Sequence, residues 1–302
     1  MFDGKLTEAF LSVVREGSFE RAASALHLTQ SAVSQRIRTL EARFGQTLLT
    51  RGRPCIPTGA GQTLLRYLDR IRLLEEEVLR TLAGPAEGPS RLALAVNADS
   101  LHAWLPQVLA ETLDGSPFTV ELQVDNEDYT HELLARGEAL ACVSARPDAM
   151  RGCVAEPLGA LRYICVATPR FAARHFADGV SRAALLRAPG LLYNRKDAML
   201  GAYLARHFGI AEGHYPAHLM PSSQAFVDFA LLDFGYVLVP ELAVRPQLDS
   251  GQLVDLLPAQ PHDVPLYWHA WQIQAPMVDA LFRRIVVAAR AMLRQRDPDP
   301  RR

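Results

Sequence analysis

The sequence predicts an α/β protein: a helical N-terminal unit, one long helix, and a larger body of alternating strands and helices. Three observations predict it. Up to about residue 82 the apolar side chains recur at helical spacing. Beyond residue 91 short apolar runs alternate with amphipathic segments, the pattern of βα units. Between them AGPAEGPS, residues 83–90, carries Gly, Pro and Ser without periodicity, which marks a domain boundary. With 302 residues, 49% of them hydrophobic, the chain has apolar material for two or three separate cores.

Leu6, Ala9, Phe10, Val13 and Val14 make an amphipathic first helix that ends at Gly17. A second, short helix is expected from about Phe19 to Leu26, with Ala22, Ala23 and Leu26 on one face; His27 and Leu28 suffice only for a turn. Thr29 is a good N-cap for a third helix that carries Ala32, Val33, Ile37, Leu40 and Phe44 at helical spacing and closes at Gly45. The small residues Ala22, Ala23, Ala25 and Ala32 let two helices cross closely, as a helix-turn-helix requires. Leu48–Arg51 and Pro54–Pro57 read as two short strands around a basic tip, RGR. Thr58 then caps a long helix over about Gly59–Leu82. Its Leu64, Leu68, Ile71, Val78 and Leu82 fall near a heptad stripe, widened by Leu65 and Leu74, and such a stripe calls for a partner.

In the body, LALAVNADS (92–100) reads as a buried strand and a helix start, and Leu101–Leu113 as one helix. FTVELQV (118–124) is a strand, Thr130–Arg136 a short helix and ALACVSA (139–145) the next strand. LRYICVATP (161–169) opens a second unit, with helices near Arg170–Phe176 and Ser181–Leu186 and a strand at Gly190–Tyr193. Helices at Met199–Phe208 and Ser222–Leu232, strands at 236–240 and 265–271, and a terminal helix over Met277–Arg294 complete it. Alternating units of this kind imply a mostly parallel sheet covered on both faces.

The outward face of the third helix carries Gln30, Ser31, Ser34, Gln35 and Arg38, with Arg36 beside them. Short polar groups near a helix N-terminus reach base edges and phosphates in a major groove. From Arg36 to Arg53 the charges are Arg36, Arg38, Arg43, Arg51 and Arg53 against Glu41 alone, in a chain of net charge −1. A local positive field in a neutral protein suits phosphate contact. Periodicity alone also fits two packed helices with a solvated basic face. The residue order goes further: ERAASALHLTQSAVSQRIRTLEARFGQTLLTR resembles the N-terminal winged helix-turn-helix of LysR-type transcriptional regulators. More narrowly, FERAA..L.LTQSAVSQRI..LE..FGQ.LL.R is similar to the ArgP/IciA/LysG branch, the arginine- and lysine-responsive regulators.

The resemblance implies a double-stranded DNA operator as partner. The DNA-binding candidates are Ser18, Arg21, Thr29, Gln30, Ser31, Ser34, Gln35, Arg36, Arg38, Arg51 and Arg53, the last two on a wing that approaches the minor groove. It implies that the long helix pairs subunits through Leu64, Leu68, Ile71, Val78 and Leu82, as a homodimer or a dimer of dimers on a two-fold operator, with RNA polymerase as a further partner. The segments NADSL, LARGE (134–138), YNRKDAM (193–199), SSQAFV (222–227) and LYWH (266–269) resemble the same branch. The expected layout is a winged helix-turn-helix over 1–58, a dimerisation helix over 59–82, a hinge over 83–90 and an effector-binding domain over 91–302. That last domain would be periplasmic-binding-protein-like, with one lobe over about 91–161 and 268–302 and the other over about 162–267.

A basic amino acid needs backbone N–H groups and hydroxyls for its carboxylate, and carboxylates for its cationic end. The candidates lie at strand ends and helix starts: Asn97, Asp99, Ser100, Glu127, Ser144, Asp197, Ser222 and Ser223, with Asp125 and Asp128 able to substitute for Glu127. Helix capping is an equal account of Ser100, Ser222 and Asp99 taken singly. Asn194 and Gln224 stand where related proteins often carry acids, which weakens the case for a cationic ligand.

No GxSxG, Walker, Rossmann or HExxH pattern is present, so no catalytic residue, cofactor or enzyme activity is expected. No metal is expected either: His214 and His218 have helical ligand spacing, but Pro216 lies between them. Cys55, Cys142, Cys153 and Cys165 form no CxxC pair and read as buried reduced thiols. The start MFDGKLTEAF lacks the pattern of a signal peptide and no apolar run reaches membrane-spanning length, so a cytoplasmic, nucleoid-associated protein without a membrane partner is expected. Two functional readings stay open: a regulator that senses lysine or arginine and controls amino-acid transport or metabolism genes, and an architectural DNA-binding protein or replication-initiation inhibitor without ligand control.

Overall fold

The computed structural model describes residues 3–50, 52–83, 88–125, 127–195, 197–272 and 275–295. Its first three helices follow from local signals. α1 (Gly4–Glu16) starts where Asp3 accepts from Lys5 N and ends at Gly17, whose φ of 62° is the left-handed conformation that glycine adopts freely. α2 (Phe19–Ala25) is capped by Ser18. α3 (Gln30–Phe44) is capped by Thr29 and ends at Gly45. Phe10, Val13, Ala22, Val33, Ile37 and Leu40 are buried together where the three helices cross. At Ala22 and Ala23 the short side chains permit that close crossing.

The wing is a loop closed by one antiparallel bridge, Leu49 to Pro57, where two strands were expected. Thr50 N donates to Ile56 O (2.8 Å) and Thr58 N to Leu48 O (2.9 Å). Pro54 and Pro57 have no N–H to donate, so the ladder cannot lengthen.

α4 (Gly59–Ala83) joins two cores. Its Leu64, Leu65 and Leu68 are buried with the first three helices, while Leu73 is buried in the body. Gly61 allows the start of α4 to lie on the wing, since a Cβ there would collide with Leu48 O. Leu64 and Leu68 are covered by their own chain, because the α1–α3 core is too small to close without them. Ile71 is half-buried, and Val78 and Leu82 remain 54% and 80% exposed.

The body begins with β1 (Ser90–Val96), α5 (Ala98–Ala103), α6 (Leu105–Leu113), β2 (Phe118–Val124), α7 (Glu127–Arg136) and β3 (Ala141–Ser144). The single helix expected over 101–113 is broken at Trp104, just before Pro106 opens α6. There follow β4 (Cys153–Ala167), α8 (Pro169–His175), α9 (Arg182–Leu185), β5 (Gly190–Leu192), α10 (Met199–Phe208) and β6 (Ala217–Leu219). α11 (Ser223–Leu231), β7 (Val237–Pro240), α12 (Glu241–Asp249), β8 (Val254–Asp255), β9 (His262–Trp271) and α13 (Pro276–Met292) complete the body.

The main sheet runs β2-β1-β3-β9-β4-β7, with β8 on β4. It is mixed where a mostly parallel sheet was expected: β1 pairs in parallel with β2 and β3, but β9 is antiparallel to both β3 and β4. The long strands β4 and β9 cause this, since they run side by side through the whole body. One end of β9 pairs with β3, and the far end of β4 carries β7 and β8. The first half of β4, CVAEPLGA, escaped the sequence reading because Pro157 and Gly159 interrupt it with a register shift. α12, which contains Pro246, also escaped it.

All four cysteines are free and buried. Burial pushes the Cys142 thiol up to about 12 and that of Cys153 up to about 11. Among the described residues no helix is long and apolar enough to cross a membrane.

Candidate DNA-binding face and effector cleft

Six of the eleven N-terminal candidates, Ser18, Arg21, Gln30, Ser34, Arg38 and Arg53, line one groove of about 760 Å³. Its walls are the start of α2, the outer face of α3 and the wing. Gln30, Ser31, Gln35, Arg38 and Arg53 are exposed, and Ser34 is half-buried. Ser18 accepts from Glu20 N (3.2 Å) and Arg21 N (3.4 Å), and Thr29 accepts from Ala32 N (3.2 Å), so both are helix caps first. Arg21 Nε donates to Glu16 O (2.9 Å) at the end of α1.

Arg36 departs from expectation. Its guanidinium turns back to α1, with Nη1 3.5 Å from Lys5 O and 4.0 Å from Glu8 Oε2, away from the groove. Its place on α3 explains this: Arg36 follows Gln35 by about 100° around the helix, onto the flank that α1 covers. Arg51 lies outside the described residues. Glu41, the one acid of the basic stretch, accepts from Leu48 N (2.8 Å) and Leu49 N (3.4 Å). It anchors the base of the wing, a role no local pattern signals.

The second constellation lies where β1 ends. In the parallel register Ala95 pairs with Cys142, so two residues on Asn97 comes beside Ser144. Asn97 sits at the N-cap of α5 without a capping side-chain bond. Its Oδ1 and Ser100 Oγ are buried with no partner among the described residues, and Ser100 is 0% exposed. Ser144 is also fully buried, and its Oγ accepts from Arg146 N (3.2 Å).

Asp99 is held from two directions. Tyr163 OH on β4 donates to Oδ2 at 2.8 Å, and Ser223 Oγ at the start of α11 donates to Oδ1 at 2.8 Å. α11 packs into a separate apolar cluster with β7, through Phe226 and Val227. The carboxylate therefore bridges α5 and α11, the two sides of the candidate effector cleft. Ser222 accepts from Ala225 N (3.3 Å) as the cap of α11.

Asp197 does not face this cleft as a free carboxylate. It accepts from Tyr193 N (2.9 Å) and Met199 N (3.1 Å) and so closes the turn before α10. Glu127 opens α7, but its side chain lies outside what is described.

Several residues beside the cleft had no local signal. Thr130 Oγ1 donates to Val143 O (2.9 Å), fastening the first turn of α7 to the end of β3. His269 is fully buried, with Nε2 2.8 Å from Arg146 O and Nδ1 buried without a partner among the described residues. The His131 ring meets it edge-on at 5.3 Å. Burial lowers the pKa of both, and the charges of His269 and Arg146 lower that of His131 further.

Comparison with known proteins identifies both units of the chain. The family described as bacterial regulatory helix-turn-helix protein, lysR family, matches residues 5–62, and the LysR substrate binding domain matches residues 85–290. The HTH-type transcriptional regulator ArgP of Aeromonas salmonicida is 40% identical over 292 residues, covering 96% of this chain and 98% of that protein. The crystal structure of ArgP from Mycobacterium tuberculosis superposes with a TM-score of 0.84 at 34% identity, covering 98% of this chain and 100% of that one. Full-length LysG from Corynebacterium glutamicum, with bound effector Arg, superposes with a TM-score of 0.78 at 32% identity, covering 97% and 100%. The chain belongs to the LysR family of bacterial transcriptional regulators, among the relatives named ArgP.

Proposed function

We propose that this protein is a cytoplasmic regulator that binds arginine or lysine between α5 and α11 and reports it to operator DNA. Its targets on this reading are genes of amino-acid transport or metabolism. The carrying observation is the group at the end of β1: two buried polar atoms without partners among the described residues, Asn97 Oδ1 and Ser100 Oγ, beside a carboxylate, Asp99, that bridges α5 and α11. A buried polar group left unsatisfied costs about 1–3 kcal/mol. An α-amino acid supplies what both lack. Its carboxylate accepts from Ser100 Oγ, and its ammonium donates to Asn97 Oδ1. Asp99 then faces the cationic side-chain end, with Tyr163 and Ser223 holding it in place. Glu127, at the start of α7, is proposed as a second acid for that end. The arginine held by LysG supports the same ligand class.

On the DNA side, Gln30, Ser31, Ser34 and Gln35 are proposed to face bases and Arg38 and Arg53 to meet phosphate. The exposed Val78 and Leu82 are proposed to pair with a second copy, so that two helices reach a two-fold operator. The domain boundaries expected from the sequence are retained in this proposal. Calorimetry of the full chain with L-arginine, L-lysine, L-glutamine and L-citrulline tests the effector, and an operator footprint with the best binder tests the response. Equal binding of neutral and basic amino acids would reject the basic-effector reading. Binding without any change in the footprint would favour the architectural alternative.

A further inference from the structure

The first turns of α4 belong to the DNA-binding body through Leu64, Leu65 and Leu68. Arg66 lies on the other side of the same turns and reaches out of that body. Its Nη1 donates to Ala135 O, in the last turn of α7, at 2.6 Å, while Nη2 donates to Thr63 Oγ1 at 3.0 Å. The guanidinium carbon stands 5.2 Å from the centre of the Trp271 ring. Trp271 Nε1 donates to Leu134 O at 3.0 Å. Two successive carbonyls at the end of α7 are thus taken by Arg66 and Trp271, which also meet each other.

Each contact has a physical reason. A helix C-terminus carries partial negative charge and favours a cation. A guanidinium over an indole adds a cation–π attraction. Gly137 completes the socket: its φ is +76°, and a Cβ there would collide with Arg66 Cγ. Glycine is required at this position both by the backbone and by the arginine that crosses it.

The other end of α7 is at the cleft. Thr130 is bonded to Val143 O, one residue before Ser144, and His131 leans on His269. A helix of this length is a rigid rod of about 15 Å. A shift of its first turn carries the Leu134 and Ala135 carbonyls with it. A hydrogen bond at 2.6 Å has little slack, and its strength falls steeply as distance and angle worsen.

We propose that α7 and the Arg66–Trp271 socket form the joint through which an occupied cleft moves the DNA-binding body. This rests on the effector reading given above. Arg66 touches neither the cleft nor the groove, so it is a positioning residue that sets the coupling between the two sites.

The test uses the full chain, as wild type and as Arg66→Met, which keeps the apolar stem and removes the charge. L-Arginine affinity is measured by calorimetry, and operator affinity with and without L-arginine by anisotropy. Spin labels at Ala25→Cys and Ala173→Cys report the distance between DNA-binding body and effector domain without ligand. Coupled sites typically change each other's affinity about 5- to 150-fold. Arg66→Met should bind L-arginine within about twofold of wild type, yet lose the arginine-dependent change in operator affinity to within about twofold of none. Its label distances should broaden. An Arg66→Met protein that keeps the wild-type response overturns the joint. A wild type that does not respond to basic amino acids sinks the effector reading instead. The label distances then decide the joint, which is supported if they broaden in Arg66→Met and overturned if they do not.

Discussion

Asp99 and Ser223 stand 124 positions apart, yet Ser223 Oγ donates to Asp99 Oδ1 at 2.8 Å across the cleft. With Tyr163 on the second oxygen, the carboxylate is fixed in position rather than left to solvent. Cation recognition benefits from such an arrangement, because an oriented carboxylate loses little freedom on binding.

Asp99→Asn should therefore lower affinity for arginine and lysine far more than for a neutral amino acid. One side of a desolvated ion pair is worth roughly 2–5 kcal/mol, about a thirtyfold to several-thousandfold loss. Calorimetry on the full chain reads this directly. Equal losses for citrulline and arginine would mean that Asp99 only holds the two sides of the cleft together. Asp197→Asn is the contrast: it should weaken the turn before α10 and lower the melting temperature, without selecting against cations.

Arg53 is exposed at the wing while Arg36 turns back onto α1. Arg53→Ala should weaken DNA binding across all sequences and reduce the salt slope by about one. Arg36→Ala should leave the slope nearly unchanged. A salt titration of operator affinity separates the two, and equal slopes for wild type and Arg53→Ala would remove Arg53 from the phosphate contacts.

The two ends of α4 should answer differently to substitution. Leu68→Ala opens a cavity in the core it shares with α1–α3 and should cost about 2–5 kcal/mol. Val78→Glu with Leu82→Glu changes exposed positions, so folding should survive while the mass falls toward the monomer in light scattering. An unchanged mass with intact operator affinity would move the pairing surface elsewhere.

Stability should fall on acidification. Burial lowers the pKa of His131 and His269 below the ordinary value of 6.5, so the unfolded chain takes up protons that the folded protein refuses. Their contribution is present in full above that value and is lost as pH drops through it toward the lowered folded values. Thermal melts across this range should show the decline, and His269→Gln, which cannot titrate, should make it shallower. A slope unchanged by that substitution would assign the acid sensitivity to other groups.

What the sequence alone determined is local. Ser18, Thr29, Gly17 and Gly45 mark helix ends because a cap bonds its own backbone within three residues and a left-handed turn suits glycine. The apolar spacing of α1, α3 and α4 was legible for the same reason, and with it the groove that Gln30, Ser34, Arg38 and Arg53 share. Ser222 reads in the sequence as the residue before a helix and Ser100 as a helix-start position, and both stand there.

The tertiary structure alone decided which of those residues remain available. Leu68 has the spacing of a pairing stripe, but only the packed core shows that its own chain covers it. Asp197 and Asp99 are equivalent as acids in a sequence. One is taken up by a turn four residues long, and the other is held by Tyr163 and Ser223 from distant elements. The antiparallel run of β4 beside β9, the reach of Arg66 to Ala135 and the meeting of His131 with His269 have no local signal either. The physical reason is common to all of them: backbone preference and periodicity act within a few residues, whereas these contacts form only when the apolar faces of remote segments pack together.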